Sequence, residues 1–248
     1  MKIKLTLLAF SLLSSGCALI NQTEQATPWA YSGPQAPENW GVLSPDYATC
    51  ATGTQQSPIN LSNFVKAKLA PLTLRYNANA SDIVNNGHTI QVNFQRGSLL
   101  SINDHKYELT QLQFHSPSEN QINGKSYPLE AQLTHIDKLG NLAVLSIMFS
   151  KGMENPAIKD IWALMPEKSG VTNNKLPPIS AKSLLPNKLS YYRYNGSLTT
   201  PPCTENVLWV VLKQPQTAAA GQIQHFGHII DTPNNRPLQA INARKILE

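Results

Sequence analysis

The chain has 248 residues, of which 41% are hydrophobic and 14% are charged, and its formal net charge is +5. This composition excludes an intrinsically disordered chain, and the length is that of one β-rich domain. The 20 lysines and arginines are scattered along the sequence, so we expect no nucleic-acid partner, which would need a basic cluster.

The first residues have the features of an export signal. Two lysines precede a short apolar run over residues 5–13, and small residues follow it. This order is typical of a signal peptide, and the run is too short to span a membrane as a helix. Cys17, directly after Gly16, resembles the lipidated cysteine of a bacterial lipobox, although Ser14 occupies the position where leucine is preferred.

We therefore predict a lipoprotein-type signal peptide over residues 1–17, a polar tether over residues 18–28 and one domain over residues 29–248. Lipidation of Cys17 would make this an exported cell-envelope protein that touches the membrane only through its N-terminal lipid. Ala18 after that cysteine resembles outer-membrane lipoproteins, which face the periplasm or the surface. The alternative is a signal that is simply cleaved to give a soluble periplasmic protein.

The cysteine content indicates a disulfide. With Cys17 lipidated, Cys50 and Cys203 remain, and in an oxidising compartment two remaining cysteines are expected to pair. The bond would close a loop of roughly 150 residues and stabilise the fold by about 3–5 kcal/mol, because it restricts the unfolded chain. Two separate thiols are the alternative.

Short segments with strand patterns dominate the rest of the chain. Alternating apolar and polar residues predict strands over 89–94, 109–115 and 129–135, and continuous apolar runs predict buried strands over 142–149 and 207–212. Turn signals such as Asn-Gly separate them. Helical patterns are limited to residues 156–165 and 218–226. The sequence therefore predicts a sheet-dominated α+β domain with a few short helices.

Two of the predicted strands carry polar residues that share a face. Because residues i and i+2 of a strand point the same way, Gln111, Gln113 and His115 lie on one face of their strand. Glu130 and Gln132 share a face of the next strand in the same way. If these faces converge, they form a small polar site with Gln113, His115 and Gln132 inside it.

Motifs along the whole domain resemble those of the α-class carbonic anhydrases. In chain order they are WAYSG at 29–33, PENWG at 37–41, QSPIN at 56–60, NNGH at 85–88, FHSPSEN at 114–120, NGKSYPLEA at 123–131, YNGSLTTPPCTE at 194–205 and NNRP at 234–237. The resemblance implies the fold of that family, a single domain with a central, twisted, mostly antiparallel sheet and short peripheral helices.

The resemblance also implies a zinc site built from a His-x-His pair on one strand and a third histidine on its neighbour. This chain has Gln113 and His115 at the pair and Gln132 at the third position, so only His115 is retained. Three imidazoles hold zinc and lower the pKa of its bound water to about 7, whereas an amide oxygen is a weak ligand better suited to hard cations. We therefore expect no zinc and no other cofactor.

Several further residues of the family's site are retained. By resemblance, His88 occupies the position of the proton shuttle, and Thr199 and Glu119 occupy the positions that orient a zinc-bound hydroxide. Without a metal, a structural hydrogen bond would account for Thr199 and Glu119, and an exposed turn would account for His88.

The remaining site residues lie behind the ligand positions or line the pocket. Gln111 and Glu130 match the groups behind the ligands, and we expect Glu130 to accept a hydrogen bond from the amide of Gln132. The pocket is completed by Val144, Leu198, Thr200, Val207 and Trp209, whose apolar members match the wall that receives carbon dioxide.

These observations predict a carbonic anhydrase-like envelope protein that is inactive, or nearly so, in carbon dioxide hydration. It would act as a binding or scaffold module for a small ligand or an envelope protein. The alternative is an active carbonic anhydrase that converts carbon dioxide to bicarbonate with an atypical zinc site at His115.

Overall fold

The computed structural model describes residues 27–230 and 233–248 of the chain. The predicted signal peptide over 1–17, the lipidated Cys17 and nearly all of the predicted tether over 18–28 lie outside the described residues. Among the residues that are described, no helix is both long enough and apolar enough to cross a membrane.

Strands make up most of the regular structure. They are β1 (Asn60–Leu61), β2 (Thr73–Tyr76), β3 (Ala80–Asn85), β4 (Ile90–Phe94), β5 (Ser98–Ile102), β6 (His105–His115), β7 (Gln121–Ile122), β8 (Leu129–Ile136), β9 (Leu142–Lys151), β10 (Val171–Asn173), β11 (Tyr191–Ser197), β12 (Glu205–Leu212) and β13 (Gln216–Ala218). The α-helices are α1 (Trp40–Leu43), α2 (Thr49–Thr52), α3 (Pro156–Trp162) and α4 (Ala220–Ile230). Short 3-10 helices cover Gly33–Gln35, Pro37–Asn39, Pro45–Tyr47 and Ala181–Leu184.

One large sheet forms the centre of the domain. Its main path is β10-β3-β4-β6-β8-β9-β12-β11, with β5 also on β6, β2 on β5 and β13 on β9. Strands β12 and β13 run parallel to β9, and the other pairs of this sheet are antiparallel. The predicted sheet-dominated α+β fold with a mostly antiparallel sheet is therefore confirmed.

The predicted elements are present with shifted ends. Strands β4, β6, β8, β9 and β12 cover the five predicted strands, and β9 is buried along nearly its whole length, as its continuous apolar run requires. Helix α3 begins at the predicted Pro156, where the side chain of Asn155 accepts a hydrogen bond from the backbone N–H of Ile158. Helix α4 begins two residues later than predicted because residues 216–218 form β13.

The strand register divides the sheet into two faces. One face carries Leu112, Leu133 and Leu145, which pack in the main core with α3 and α4. The opposite face carries Gln113, Gln132 and Ser146 at directly paired positions of β6, β8 and β9. The polar side chains of the candidate site therefore lie on the face away from the two longest helices.

The predicted disulfide is present. Cys50, in α2, is bonded to Cys203 at a sequence separation of 153 residues. Both cysteines are buried, and they pack with Trp40 and Tyr47 in a small cluster. The bond joins the N-terminal segment to the loop that precedes β12, which is also the loop that carries Thr199.

Candidate functional site

The three innermost site residues come together as their spacing predicts. Gln113 on β6 pairs directly with Gln132 on β8, and His115 pairs with Glu130. Gln91 on β4 pairs with Gln113 from the other side. Since directly paired residues of antiparallel strands share a face, the two amides and the imidazole lie side by side on the polar face of the sheet.

The amide of Gln113 is the first member of a hydrogen-bonded chain across that face. Its Nε2 donates to Oε1 of Gln91 at 2.9 Å, Gln91 Nε2 donates to Oδ1 of Asn93 at 2.7 Å, and Asn93 Nδ2 donates to Oδ1 of Asp82 at 2.6 Å. A carboxylate only accepts, so Asp82 fixes the orientation of every amide in the chain. Gln113 therefore uses its N–H group here and keeps its carbonyl oxygen.

The amide of Gln132 is oriented by a second carboxylate. Its Nε2 donates to Oε2 of Glu119 at 2.9 Å, and both side chains are buried. The other oxygen of Glu119 accepts the backbone N–H of Arg236 at 2.9 Å. Both carboxylate oxygens are thus engaged, and Gln132 also keeps its carbonyl oxygen for another partner.

The imidazole of His115 has one bonded and one unbonded nitrogen. Nδ1 lies 2.7 Å from the backbone oxygen of Asn234, which can only accept, so Nδ1 carries the proton. Nε2 is buried and has no hydrogen-bond partner among the described residues, although Oε2 of Glu119 lies 3.7 Å away. In the neutral imidazole Nε2 is therefore a free acceptor.

The carboxylate of Glu130 is fully buried, but its partners differ from the expected one. Oε2 accepts the backbone N–H groups of Glu119 and Asn120, and Oε1 accepts from the side chains of Asn120 and Ser146. The expected bond from Gln132 is absent because that amide reaches Glu119 instead. Burial and the charge of Glu119 raise the pKa of Glu130, and the bonds from Ser146 and Asn120 partly offset the rise.

The loop after β11 contributes the other side of the site. Thr199 is buried, but no hydrogen bond joins it to Glu119 in the described residues, and the Glu119 oxygens accept from Gln132 and Arg236 instead. The neighbouring Thr200 accepts the backbone N–H of Cys203 at its carbonyl. The apolar wall does assemble: Val144, Val207 and Trp209 are buried in one cluster, and Leu198 packs against it.

Two of the expected site residues are less engaged. Gln111 is half-buried, and its side chain makes no hydrogen bond with a described residue. His88 is also half-buried rather than exposed, and its ring stacks on Trp29 with centroids 3.7 Å apart and planes at 10°. Burial lowers the pKa of His88.

Sequence reasoning assigned no role to several residues that shape the site. Asn234 is buried and binds the chain at both ends of its side chain, donating to the carbonyls of His88 and Phe114 and accepting from the N–H of Ser116. The alternating pattern over residues 89–94 predicts a strand but gives Gln91 and Asn93 no part in the site. Their spacing of two residues was the available signal, since it put them on one face.

Comparison with known proteins identifies the family of this site. The model of the family described as eukaryotic-type carbonic anhydrase matches residues 35–248. The chain belongs to the α-class carbonic anhydrase family. A carbonic anhydrase from Pectobacterium carotovorum is 41% identical over 240 residues, which cover 97% of this chain and 98% of that protein.

Solved structures similar to this chain share the fold. An α-carbonic anhydrase from Thermovibrio ammonificans, in complex with the inhibitor sulfanilamide, has a TM-score of 0.89 and 43% identity, covering 90% of this chain and 100% of its own. Dioscorin in complex with ascorbate has a TM-score of 0.83 and 34% identity, covering 89% and 97%.

Whether this member of the family can bind a metal ion depends on the side chains of its site. Within residues 27–230 and 233–248, no three His, Cys, Asp or Glu side chains are grouped so that they could hold a metal ion. The polar face instead offers one imidazole nitrogen and two amide oxygens.

Proposed function

We propose that this carbonic anhydrase homologue does not hold the family's catalytic zinc, is inactive or nearly so in carbon dioxide hydration, and acts as a binding module. One observation carries the proposal. Gln113 and Gln132, at two of the three positions where the resemblance implies imidazoles, are amides held in hydrogen bonds to Gln91 and Glu119.

The chemistry of these ligand atoms does not fit zinc. Structural and catalytic zinc sites use imidazole, thiolate or carboxylate ligands, and neutral amide oxygens are rare among them. Loss of a group that only supports a ligand typically lowers metal affinity about 10–100-fold, so loss of two ligands should cost far more. When bound by three imidazoles, zinc supplies a hydroxide at neutral pH, and this chain would lack that nucleophile.

The same atoms indicate what the site would bind instead. The two amide oxygens and Nε2 of His115 are three hydrogen-bond acceptors on one face, beside the apolar wall of Val144 and Trp209. Acceptors in a partly buried site favour a ligand that donates, because buried polar groups need partners. A small molecule with several hydroxyl groups fits this arrangement, and ascorbate, the ligand in the dioscorin structure, is one.

The N-terminal sequence supports a proposal for where this binding module acts. We propose that the domain is exported and held in the cell envelope by lipid on Cys17, with a soluble periplasmic protein as the alternative. A small hydroxylated ligand in that compartment is the proposed partner, and an envelope protein is the second possibility.

An active enzyme is the second candidate function. It is favoured by the buried Nε2 of His115, which has no hydrogen-bond partner in the described part of the chain, and by the name of the Pectobacterium relative. In that case zinc would be held by His115 with ligands that are not all imidazoles.

The decisive experiment restores the two histidines. We expect the purified wild-type protein, dialysed after exposure to zinc, to contain well below one zinc per chain and to show no enzymatic hydration of carbon dioxide. The variant Gln113→His with Gln132→His should bind about one zinc per chain and gain measurable activity. Elemental analysis and stopped-flow hydration assays measure both properties.

A matched control places two histidines on the same face but away from the two positions where the resemblance implies zinc ligands. Gln91→His with Gln111→His adds the same residues to the same face and should gain neither zinc nor activity. Stoichiometric zinc and rapid hydration in the wild type would refute the proposal. Calorimetric titration with ascorbate tests the ligand class, and the absence of heat at millimolar ascorbate would remove hydroxylated ligands of this kind.

A further inference from the structure

A second cavity lies outside the site described above. Its volume is about 520 Å³, within the range of small-molecule pockets. It is formed by Thr54 and Gln55 after α2, by residues 193–195 of β11, and by residues 242–245 and 247 of the C-terminal segment. Asn242 closes one side by donating from Nδ2 to the carbonyl of Thr54 at 2.7 Å.

The lining of this cavity is basic. It includes Arg193, Arg244 and Lys245 and no Asp or Glu. In the described part of the chain, none of these three cations has a carboxylate within ion-pair distance. Glu205 acts on Arg244 from a distance, but its Oε1 already accepts the backbone N–H of Gln55 and the amide of Gln56.

Arg244 is held in a fixed position with part of its guanidinium free. Nε, Nη1 and Nη2 donate to the carbonyls of Ile241, Asn195 and Ala240 at 2.9, 3.2 and 2.6 Å. A guanidinium has five N–H bonds, so two remain, one on each terminal nitrogen. Because backbone carbonyls already hold the side chain of Arg244 in place, binding of an anion costs little entropy for ordering this arginine.

The environment of Arg244 also favours an anion. The group is half-buried, and burial lowers the pKa of Arg244, since its charge is only partly solvated. A bound anion would compensate that lost solvation.

One side of the cavity is apolar, opposite in character to its basic residues. The ring of Tyr194 lies under the guanidinium of Arg244 with 5.9 Å between Cζ and the ring centroid, and Leu247 and Ala243 complete this side. We propose that this cavity is a second ligand site that binds a small organic anion, a carboxylate or phosphate carried on a flat apolar body. Arg244 and Lys245 bind the charged group, and the body packs on Ala243 and Leu247 over the buried ring of Tyr194.

The test uses phenyl phosphate, benzoate and inorganic phosphate with the full domain. Binding of phenyl phosphate or benzoate should saturate below about 10 mM and shift the backbone amide signals of residues 242–247, while inorganic phosphate binds more weakly because it lacks the apolar body. Arg244→Gln should weaken binding about tenfold or more, and Lys245→Gln by a few-fold. Lys106→Gln, the same change at an exposed site on β6, should leave affinity unchanged.

Each result decides for or against the site. Absence of binding by both organic anions, shifts that cluster near residues 113 and 132 instead, or equal affinity in Lys245→Gln and wild type would overturn it. If Arg244→Gln does not fold, Arg244→Lys keeps the charge without the fork and should still bind more weakly than wild type. Because zinc and ascorbate are tested at other residues, around Gln113 and Gln132, and the cavity lining contains none of these, failure of this proposal leaves the proposed function standing.

Discussion

The two glutamines of the site are the same residue in different surroundings. Gln132 is 5% exposed and donates to a buried carboxylate, whereas Gln113 is half-buried and donates to another amide. A hydrogen bond to a charged, buried group contributes more to stability than one between neutral, partly solvated groups. Gln132 therefore has a structural role that Gln113 lacks.

This difference can be measured with matched substitutions to leucine, which has nearly the volume of glutamine. Gln132→Leu leaves Oε2 of Glu119 without its donor and should lower the free energy of unfolding by about 1–3 kcal/mol. Gln113→Leu removes a hydrogen bond between two amides, and water can replace that bond. The free energy of unfolding should therefore change by less than about 1 kcal/mol. Urea unfolding of both variants gives the values, and equal losses would contradict the assignment.

Much of this residue-scale picture was predictable, and some of it was not. The i, i+2 spacing placed Gln113, His115 and Gln132 on one face, because a strand has a fixed side-chain period. It could not decide whether Gln132 reaches Glu119 or Glu130, since both carboxylates are brought near it by tertiary contacts. The orientation of an amide depends on such partners, and a local pattern contains no information about them.

Strands β6 and β8 each have one face in the polar site and one face in the apolar core. One face holds the polar site, and the other is apolar except for His135 on β8, which is fully buried. Its Nε2 lies 2.7 Å from the hydroxyl of Tyr76 on β2, so this pair joins the middle of the sheet to a strand at its end. His135 lies three residues after Gln132, and because this offset is odd the two side chains lie on opposite faces of β8.

At the scale of elements, segments with a clear apolar periodicity were predictable and segments without one were not. Strand β9 is a long apolar run and was found with its limits nearly right. The sequence analysis did not predict β2, β3, β5, β10 and β11, because their pairing partners rather than their own periodicity hold them in the sheet. The same reason explains why β13 displaced the predicted start of α4.

The buried His135 makes a testable contribution to pH dependence. Burial lowers the pKa of His135 from 6.5 to about 4, although the nearby carbonyls of Leu133 and Ala143 offset part of the effect. Between pH 6.5 and about pH 4, His135 is therefore protonated in the unfolded chain but not in the folded chain. The contribution of His135 to the free energy of unfolding is fully present above the histidine pKa of the unfolded chain. It is lost as the pH falls toward 4, by up to about 3 kcal/mol.

His135→Gln should flatten this dependence. Urea unfolding at intervals between pH 7 and pH 4.5 should give a steeper loss in wild type than in the variant, whatever the variant's stability at pH 7. The difference between the two profiles removes the contributions of His88 and Glu130, which both proteins share. His225→Gln, at an exposed position of α4, should follow the wild-type profile, and parallel profiles for His135→Gln would argue against a neutral buried histidine.

At the scale of the whole molecule, the N-terminal segment, the disulfide and the site are connected through Arg236. Its buried guanidinium donates to Oε1 of Gln56, to the carbonyl of Ser57 and to the carbonyl of Cys50. Its backbone N–H donates to Glu119, which in turn orients Gln132. Segments far apart in sequence therefore meet behind the site, and none of these contacts could be predicted from local patterns.

The disulfide between Cys50 and Cys203 is the covalent part of that connection. It restricts a loop of 153 residues in the unfolded chain, so its removal should lower the free energy of unfolding by about 3–5 kcal/mol. Both cysteines replaced by alanine should show this loss in urea, and a reducing agent should destabilise the wild type by a similar amount. The same reagent should leave the double-alanine protein unchanged. Free-thiol titration shows whether the reductant has opened the bond. If the reduced wild type then unfolds at the same urea concentration as the oxidised protein, the noncovalent contacts of Arg236 alone hold these segments together.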